Sequence, residues 1–165
     1  MSEREFDPLR ALETLNRHGV RYVLIGGFAG KLHGSPALTV DIGICYARDA
    51  ENLDRLVAAL RELNPVLRGA DDRLPFRLDA RTIRNGDSFT FVTDAGDLDI
   101  LGTPTGTGGY EQLARTAVRM DLGDVSVDVA SLDDLIAMKR AAGRARDRAH
   151  LEILGALRDE IDRTT

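Results

Sequence analysis

Two short segments alternate apolar residues with aspartates, and this alternation limits the folds that the chain can adopt. The first runs from residue 38 to 44 and contains Asp41, and the second runs from 97 to 101 and contains Asp97 and Asp99. Successive residues of a β-strand point to opposite faces of a sheet, so one face of each segment is predicted to enter a core. The residues of the first segment that we expect in the core are Leu38, Val40, Ile42 and Ile44.

The acidic face of these segments predicts a metal site. If the two strands are neighbours in one sheet, two or three carboxylates lie close together, and such a cluster repels itself unless a cation is present. A solvated strand aspartate is the weaker interpretation of Asp41, because Asp is depleted in strands. The pattern therefore favours a divalent cation at this face.

A glycine turn precedes the first acidic segment. The apolar strand 21–25 ends in Gly26-Gly27, a short helix is predicted from residue 28 to 33, and Gly34-Ser35 follows. Glycines at such a turn allow backbone N–H groups to approach phosphate. A Gly-Gly pair alone is a weak signal, and its position before Asp41 gives it weight.

The order of these features resembles that of the nucleotidyltransferase superfamily with the polymerase-beta-like core, and in particular that of small bacterial toxins of the AbiEii and MenT kind. The family pattern is a Gly-Gly or Gly-Ser turn that opens a helix, then Thr-x-Asp-x-Asp on a strand, then a third Asp on a later strand. Here Thr39, Asp41 and Asp99 match, and the segment 132–147 resembles the family helix that supplies a lysine. The resemblance covers residues 20 to 157.

The resemblance implies a fold, an activity and site residues. The fold is α/β (α+β), the minimal nucleotidyltransferase fold with a mixed β-sheet flanked by helices, and we expect residues 1–165 to form one such domain. The implied reaction transfers a nucleoside monophosphate from an NTP, with Mg²⁺ or Mn²⁺ held by Asp41 and Asp99. Asp99 would bind metal, activate the acceptor hydroxyl, or do both, and Lys139 would meet the β- and γ-phosphates. The implied nucleotide-binding residues are Gly26, Gly27, Ser35, Lys139, Arg144 and Asp147. Since the family's third aspartate aligns with Asp99, Asp97 is interpreted as a turn residue.

The toxin branch also implies an acceptor and a partner. The acceptor would be the 3′ end of tRNA, which blocks aminoacylation, and an antitoxin protein would be the partner; a protein hydroxyl is an alternative acceptor. In related toxins an active-site hydroxyl is silenced by phosphorylation, and Thr39 is a candidate because it shares a face with Asp41. An ordinary β-branched strand residue explains Thr39 equally well.

One position departs from the family pattern, because Gly43 stands where the second aspartate of the motif belongs. Asp41 and Asp99 then hold the metal with waters and phosphates, or the chain is a catalytically impaired nucleotide- or partner-binding module, or the residue is engineered. A strand glycine also marks a bulge or a close backbone approach. Restoring Asp at 43 separates decay from adaptation.

Composition and charge limit the partners and the cellular location that we expect for the chain. The chain has 165 residues, a 43% apolar content and a net charge of −5, which argues against a generally basic nucleic-acid surface. Five cations nevertheless cluster within residues 139–148, where polyphosphate or RNA can dock; a solvated helix end is the alternative. No stretch approaches ~20 apolar residues and the N-terminus has no signal-peptide pattern, so we expect a cytoplasmic protein without a membrane partner. Cys45 is interpreted as a core or edge residue.

Periodicity predicts the remaining elements. An N-cap at Asp7 predicts a helix from Pro8 to Gly19, and a capping-box-like start at Ser131 predicts another helix after it. Further helices are expected over 50–63, 110–117 and 147–161. Hairpins are expected at 88–101 and 118–129, and a flexible glycine-rich loop at 102–109. The segment 65–87 has no clear periodicity, and strand and loop are expected there.

Overall fold

The structure, a computed structural model, describes residues 5–69, 76–143 and 145–164, with the side chains of 145–151, 163 and 164 outside this description. The helices are α1 (Pro8–Arg17), α2 (Gly26–Leu32), α3 (Ala50–Glu62), α4 (Ala80–Asn85), α5 (Tyr110–Thr116), α6 (Leu132–Ala142) and α7 (Ala145–Thr164). The strands are β1 (Tyr22–Ile25), β2 (Asp41–Tyr46), β3 (Val66–Leu67), β4 (Ser88–Thr93), β5 (Gly96–Leu101), β6 (Val118–Leu122) and β7 (Val125–Val129).

The strands form one mixed sheet with the order β3-β4-β5-β2-β1-β7-β6. The pairs β2·β5 and β1·β7 are parallel, and the other neighbours are antiparallel. Helices flank this sheet, so the predicted α/β fold class with a mixed sheet is confirmed. The two acidic segments are neighbouring strands, which was the condition for their carboxylates to lie close together.

Side-chain caps start several helices where the sequence placed them. Asp7 accepts a hydrogen bond from the backbone N–H of Arg10 at the start of α1, and Ser131 accepts one from Asp134 at the start of α6. Each cap satisfies a backbone donor that has no partner inside the helix. The predicted hairpin at 118–129 also has the observed strand bounds.

The core prediction for the first acidic segment is half right. Ile42 and Ile44 are buried beside Leu98 and Ile100 of β5. Leu38 is 94% exposed and Val40 is 73% exposed, so their predicted burial is wrong. The reason is that β2 begins at Asp41. Upstream of that residue neither neighbour continues the ladder, since β5 begins at Gly96 and β1 has already ended.

The segment 65–87 contains a helix that the sequence did not predict. Asp79 caps α4 by accepting a hydrogen bond from the Thr82 N–H at 2.8 Å, and Ile83 is fully buried against the core. Interleaved arginines and acids obscured this short amphipathic turn. The two-residue strand β3 agrees with the expectation of strand and loop there.

The glycine-rich loop 102–109, predicted to be flexible, makes several contacts. The Thr107 hydroxyl donates to the Pro104 carbonyl at 2.8 Å, and the Gly108 N–H donates to the Gln112 side chain at 2.8 Å. Gly106 packs directly on α6. The loop therefore connects the end of β5 to the surface of α6. Within the described residues, no helix has the length and apolarity to cross a membrane.

Candidate active site

The turn between β1 and α2 requires glycine at both positions. Gly26 has a φ of +78°, a conformation that L-residues rarely adopt. A Cβ on Gly27 would lie 3.0 Å from the Thr39 hydroxyl oxygen, so this position is closely packed. The strand-to-helix turn thus places bare backbone beside the first acidic segment, as the sequence predicted.

The acidic residues occupy register positions on one face of the sheet. Asp41 of β2 pairs with Asp97 of β5, and Gly43 pairs with Asp99. Because residues two apart on a strand share a face, these four positions form the corners of a rectangle. The Thr39 hydroxyl adjoins this face, with its oxygen 3.2 Å from the Asp41 carbonyl oxygen and 3.4 Å from Asp41 Oδ1.

Asp97 is a strand residue, so its interpretation as a turn residue is wrong. The turn is completed at Gly96, whose φ is +103°, and β5 starts at that residue. Arg68 reaches Asp97 across β4, with its Nη1 3.1 Å from Asp97 Oδ2. Asp97 is therefore partnered by a guanidinium and does not line the cavity described below.

Asp99 is half-buried on the same face, and burial raises the pKa of its carboxyl above the usual value. A hydrogen bond from Thr90 and the charge of Arg68 act in the opposite direction, while the charges of Asp41 and Asp97 add to the increase. A carboxylate in this environment gains stability from a nearby cation or proton.

A cavity of about 290 Å³ opens at this face. Six of the predicted site residues line it: Gly26, Gly27, Ser35, Asp41, Asp99 and Lys139. Arg144 lies outside the described residues, and so does the side chain of Asp147, although its backbone belongs to α7. Residues separated by up to 113 positions in the chain are thus brought to one cavity.

Several lining residues were not predicted. Leu135, Met138 and Ala142 of α6 share a helix face with Lys139, and this i, i+3, i+4, i+7 pattern was readable in the sequence. Pro104, Thr105 and Leu154 also line the cavity. Their proximity follows from the docking of the 102–109 loop and of α7, which periodicity does not specify.

The donor chemistry fits a hard divalent cation through Asp41 and Asp99. Carboxylate oxygens are ligands that Mg²⁺ accepts, with phosphates and waters completing its octahedron. Among the described residues, no three His, Cys, Asp or Glu side chains gather into a group that would hold a metal by itself. Of the two or three carboxylates expected on this face, Asp41 and Asp99 line the cavity, and Asp97 contacts Arg68 instead.

Position 43 lies in regular strand. Its ladder pairs with Ile25 and Asp99 are continuous, and its φ is not positive, so the interpretation as a bulge is wrong. The backbone of Ile25 does approach closely: a Cβ on Gly43 would lie 3.4 Å from both Ile25 Cγ1 and the Ile25 carbonyl oxygen, at the short end of ordinary contact distances. Position 43 therefore has room for a Cβ with little to spare.

Solved structures share this fold. No family model and no curated protein matches the chain in sequence. The crystal structure of the lincosamide antibiotic adenylyltransferase LnuA with lincomycin bound aligns over 95% of this chain and 98% of its own, at 14% identity and a TM-score of 0.62. A Thermotoga maritima protein with a provisional nucleotidyltransferase assignment aligns over 94% and 91%, at 15% identity and a TM-score of 0.52.

At these identities the likeness shows the fold alone. The chain has the nucleotidyltransferase fold, with its seven-stranded mixed sheet and flanking helices. The choice of a particular reaction and acceptor therefore rests on the residues that line the cavity.

Proposed function

We propose that the chain transfers a nucleoside monophosphate from an NTP to a hydroxyl acceptor. The observation that carries this proposal is the cavity that joins the Gly26-Gly27 turn, Asp41, Asp99 and Lys139. These residues come from a strand-helix turn, two neighbouring strands and a later helix, and they meet in a fold shared with nucleotidyltransferases.

Each of these residues has a separate role in an in-line displacement at the α-phosphorus. The acceptor oxygen attacks the α-phosphorus, the bond to the bridging oxygen breaks, and pyrophosphate leaves. Asp99 accepts the proton of the acceptor hydroxyl, a role that its position at the cavity beside Asp41 favours. Lys139 faces the leaving pyrophosphate as a compact cation, and the backbone at Gly27 gives the phosphates room to approach. A divalent ion on Asp41 and Asp99, Mg²⁺ or Mn²⁺, supplies neutralisation of the triphosphate charge.

The acceptor that we propose is the 3′ end of tRNA, with an antitoxin protein as the partner of the chain. The motif order from Gly26 to Lys139 supports this assignment through its similarity to the toxin branch. Exposed Arg140 beside Lys139 extends positive charge from the cavity onto the surface, where an RNA backbone can contact it.

A small hydroxyl compound is the second candidate acceptor. The near-complete alignment with an adenylyltransferase that holds lincomycin favours it. The apolar wall of the cavity, formed by Leu135, Met138 and Leu154, suits a compact organic acceptor.

A transfer assay tests both candidates. Purified protein is incubated with Mg²⁺ and each α-labelled NTP in turn, with total tRNA in one series and lincomycin in another. The matched control is Asp41→Asn, which keeps the volume of the side chain and removes its charge. Label that enters tRNA only with Asp41 intact supports the first candidate, and label on the small molecule supports the second. No transfer in either series contradicts the proposed activity toward these acceptors.

Thr39 is the proposed point of control by phosphorylation. Its hydroxyl oxygen lies 3.4 Å from Asp41 Oδ1, so a phosphate there adds negative charge directly beside the proposed metal ligand. We expect Thr39→Glu to abolish transfer and Thr39→Val, which has nearly the same volume, to retain it. Full activity of the Glu variant would refute this control.

A further inference from the structure

The rectangle of register positions on β2 and β5 has one empty corner. Asp41 and Asp97 form one edge, Gly43 and Asp99 form the other, and only Gly43 lacks a side chain. A second aspartate at position 43 would lie beside Asp99 and on the same face as Asp41. The chain therefore has one carboxylate fewer on the cavity side than the Thr-x-Asp-x-Asp pattern provides.

Asp97, the other carboxylate on this face, does not replace the missing one, because it forms an ion pair with Arg68. The Arg68 backbone N–H donates to the Thr90 carbonyl at 2.8 Å, which fixes the residue against β4. Its guanidinium then reaches Asp97, with Nη1 3.1 Å from Oδ2. An arginine is always charged near neutral pH, so this contact compensates Asp97.

We propose that the site holds a single divalent cation, on Asp41 and Asp99, and that Gly43 and the Arg68–Asp97 pair together exclude a second one. The inference rests on the proposed function. The reason is the supply of protein ligands: Asp41 and Asp99 hold one ion together with phosphates and waters, whereas a second ion would have no carboxylate of its own from the protein.

The structure has space for the variant that tests this inference, Gly43→Asp. Position 43 has extended backbone, and a Cβ there meets Ile25 only at 3.4 Å. Gly43→Asp therefore adds the missing ligand at a position whose backbone conformation and Cβ space accept a side chain. Gly43→Asn is the matched control, because it has the same size and no charge. A shared loss of folding in both variants would show up in their circular dichroism before any metal is added.

Manganese provides a readout that does not depend on turnover. Each protein is saturated with the α,β-methylene analogue of the NTP that transfers in the assay above, and Mn²⁺ is titrated while electron paramagnetic resonance measures the free and bound ion. We expect one bound Mn²⁺ with an uncoupled spectrum for the natural protein and for Gly43→Asn. We expect two bound ions with a spin-coupled spectrum for Gly43→Asp.

Three outcomes overturn the inference. The first is a coupled pair of Mn²⁺ ions in the natural protein, the second is a single ion in a correctly folded Gly43→Asp, and the third is a second ion in Gly43→Asn. The first leaves the proposed nucleotidyl transfer untouched, which separates the two claims. A protein that binds neither analogue nor Mn²⁺ overturns both.

The Arg68–Asp97 contact has its own test in the same titration. Arg68→Gln releases Asp97 toward the metal face, and we expect the affinity for Mn²⁺ to rise several-fold. In an Asp97→Asn background the same Arg68→Gln change should have much less effect. Equal effects in the two backgrounds would show that Arg68 acts by its charge alone and that Asp97 is not held back, which contradicts this part of the inference.

Discussion

Gly106 is the position where a single methyl group should disturb the site most. It lies in the 102–109 loop with a φ of +87°, and a Cβ there would lie 2.7 Å from Ala141 Cβ and 3.0 Å from the Ala137 carbonyl oxygen. Neither neighbour is a flexible side-chain end, so Gly106→Ala must move the loop away from α6. Pro104 and Thr105 of the same loop line the cavity.

The expected cost has two parts. A non-glycine residue in left-handed backbone costs roughly 1–2 kcal/mol. Overpacking of a close contact costs roughly 1–3 kcal/mol more. The total for Gly106→Ala is then about 2–5 kcal/mol by these figures. A loss of about 3 kcal/mol lowers the Tm of a chain of this size by roughly 6–12 °C.

Gly123→Ala is the matched control, because Gly123 has a φ of +75° and no atom of the described part of the chain within 4 Å of its ideal Cβ. It carries the conformational cost without the clash. Urea unfolding of both variants separates the two contributions, and nucleotide binding by calorimetry reports the displaced cavity wall. We expect Gly106→Ala to lose more stability than Gly123→Ala and to bind nucleotide more weakly. Equal stability losses would refute the packing argument.

Three further predictions concern residues outside the cavity. The Tyr46 hydroxyl is buried without a hydrogen-bond partner among the described residues, so Tyr46→Phe should leave the free energy of unfolding unchanged or raise it by up to about 1 kcal/mol; a clear loss in urea unfolding would reveal an unrecognised partner. Burial raises the pKa of the Cys45 thiol to about 12, so an aromatic disulfide reagent at pH 8 should react with it only as the protein unfolds, and rapid reaction with the native protein would contradict this. A side-chain hydrogen bond from Arg17, with a further one from His18, lowers the pKa of Glu62 to about 2 from its usual 4.5. The stability that Glu62 contributes is therefore present above pH 4.5 and lost as the pH falls toward 2, so the difference in unfolding free energy between the natural protein and Glu62→Gln should close over that range. A difference that is independent of pH would refute the assignment.

Local signals predicted much of the fold and of the candidate site. Period-2 alternation located the hairpin at 118–129, and capping residues such as Asp7 and Ser131 located helix starts. The aspartates, the glycine turn and Lys139 were identified because they follow one another in the order of the nucleotidyltransferase motifs. The structure places Asp41, Asp99 and Lys139 around one cavity, an arrangement that no local pattern contains.

Other features were unpredictable because they depend on pairing partners. Alternation continued upstream of Asp41, yet Leu38 is exposed since the neighbouring strands supply no partner at that level. Asp97 has the same alternation as Asp99, and the two carboxylates differ in their tertiary contacts, since Arg68 approaches Asp97 across β4 while Asp99 lines the cavity. Tertiary context decided both cases, and neither context is encoded within a window of a few residues.

The same dependence on partners governs how the departure at Gly43 should be understood. Within the motif alone, the missing aspartate leaves open a two-carboxylate site, an impaired module and an engineered residue. In the sheet, position 43 pairs with Asp99, position 41 pairs with Asp97, and the diagonal Asp41 and Asp99 remain available at the cavity. An arginine compensates the carboxylate that could otherwise be recruited. Among the described residues, Asp41 and Asp99 are thus the two carboxylates at the cavity, which is the basis of the proposed single-ion site. Position 43 has space for a Cβ, so Gly43→Asp and Gly43→Asn can be compared directly. The comparison separates a site adapted to the absence of the second aspartate from a site that has lost it and with it part of its activity.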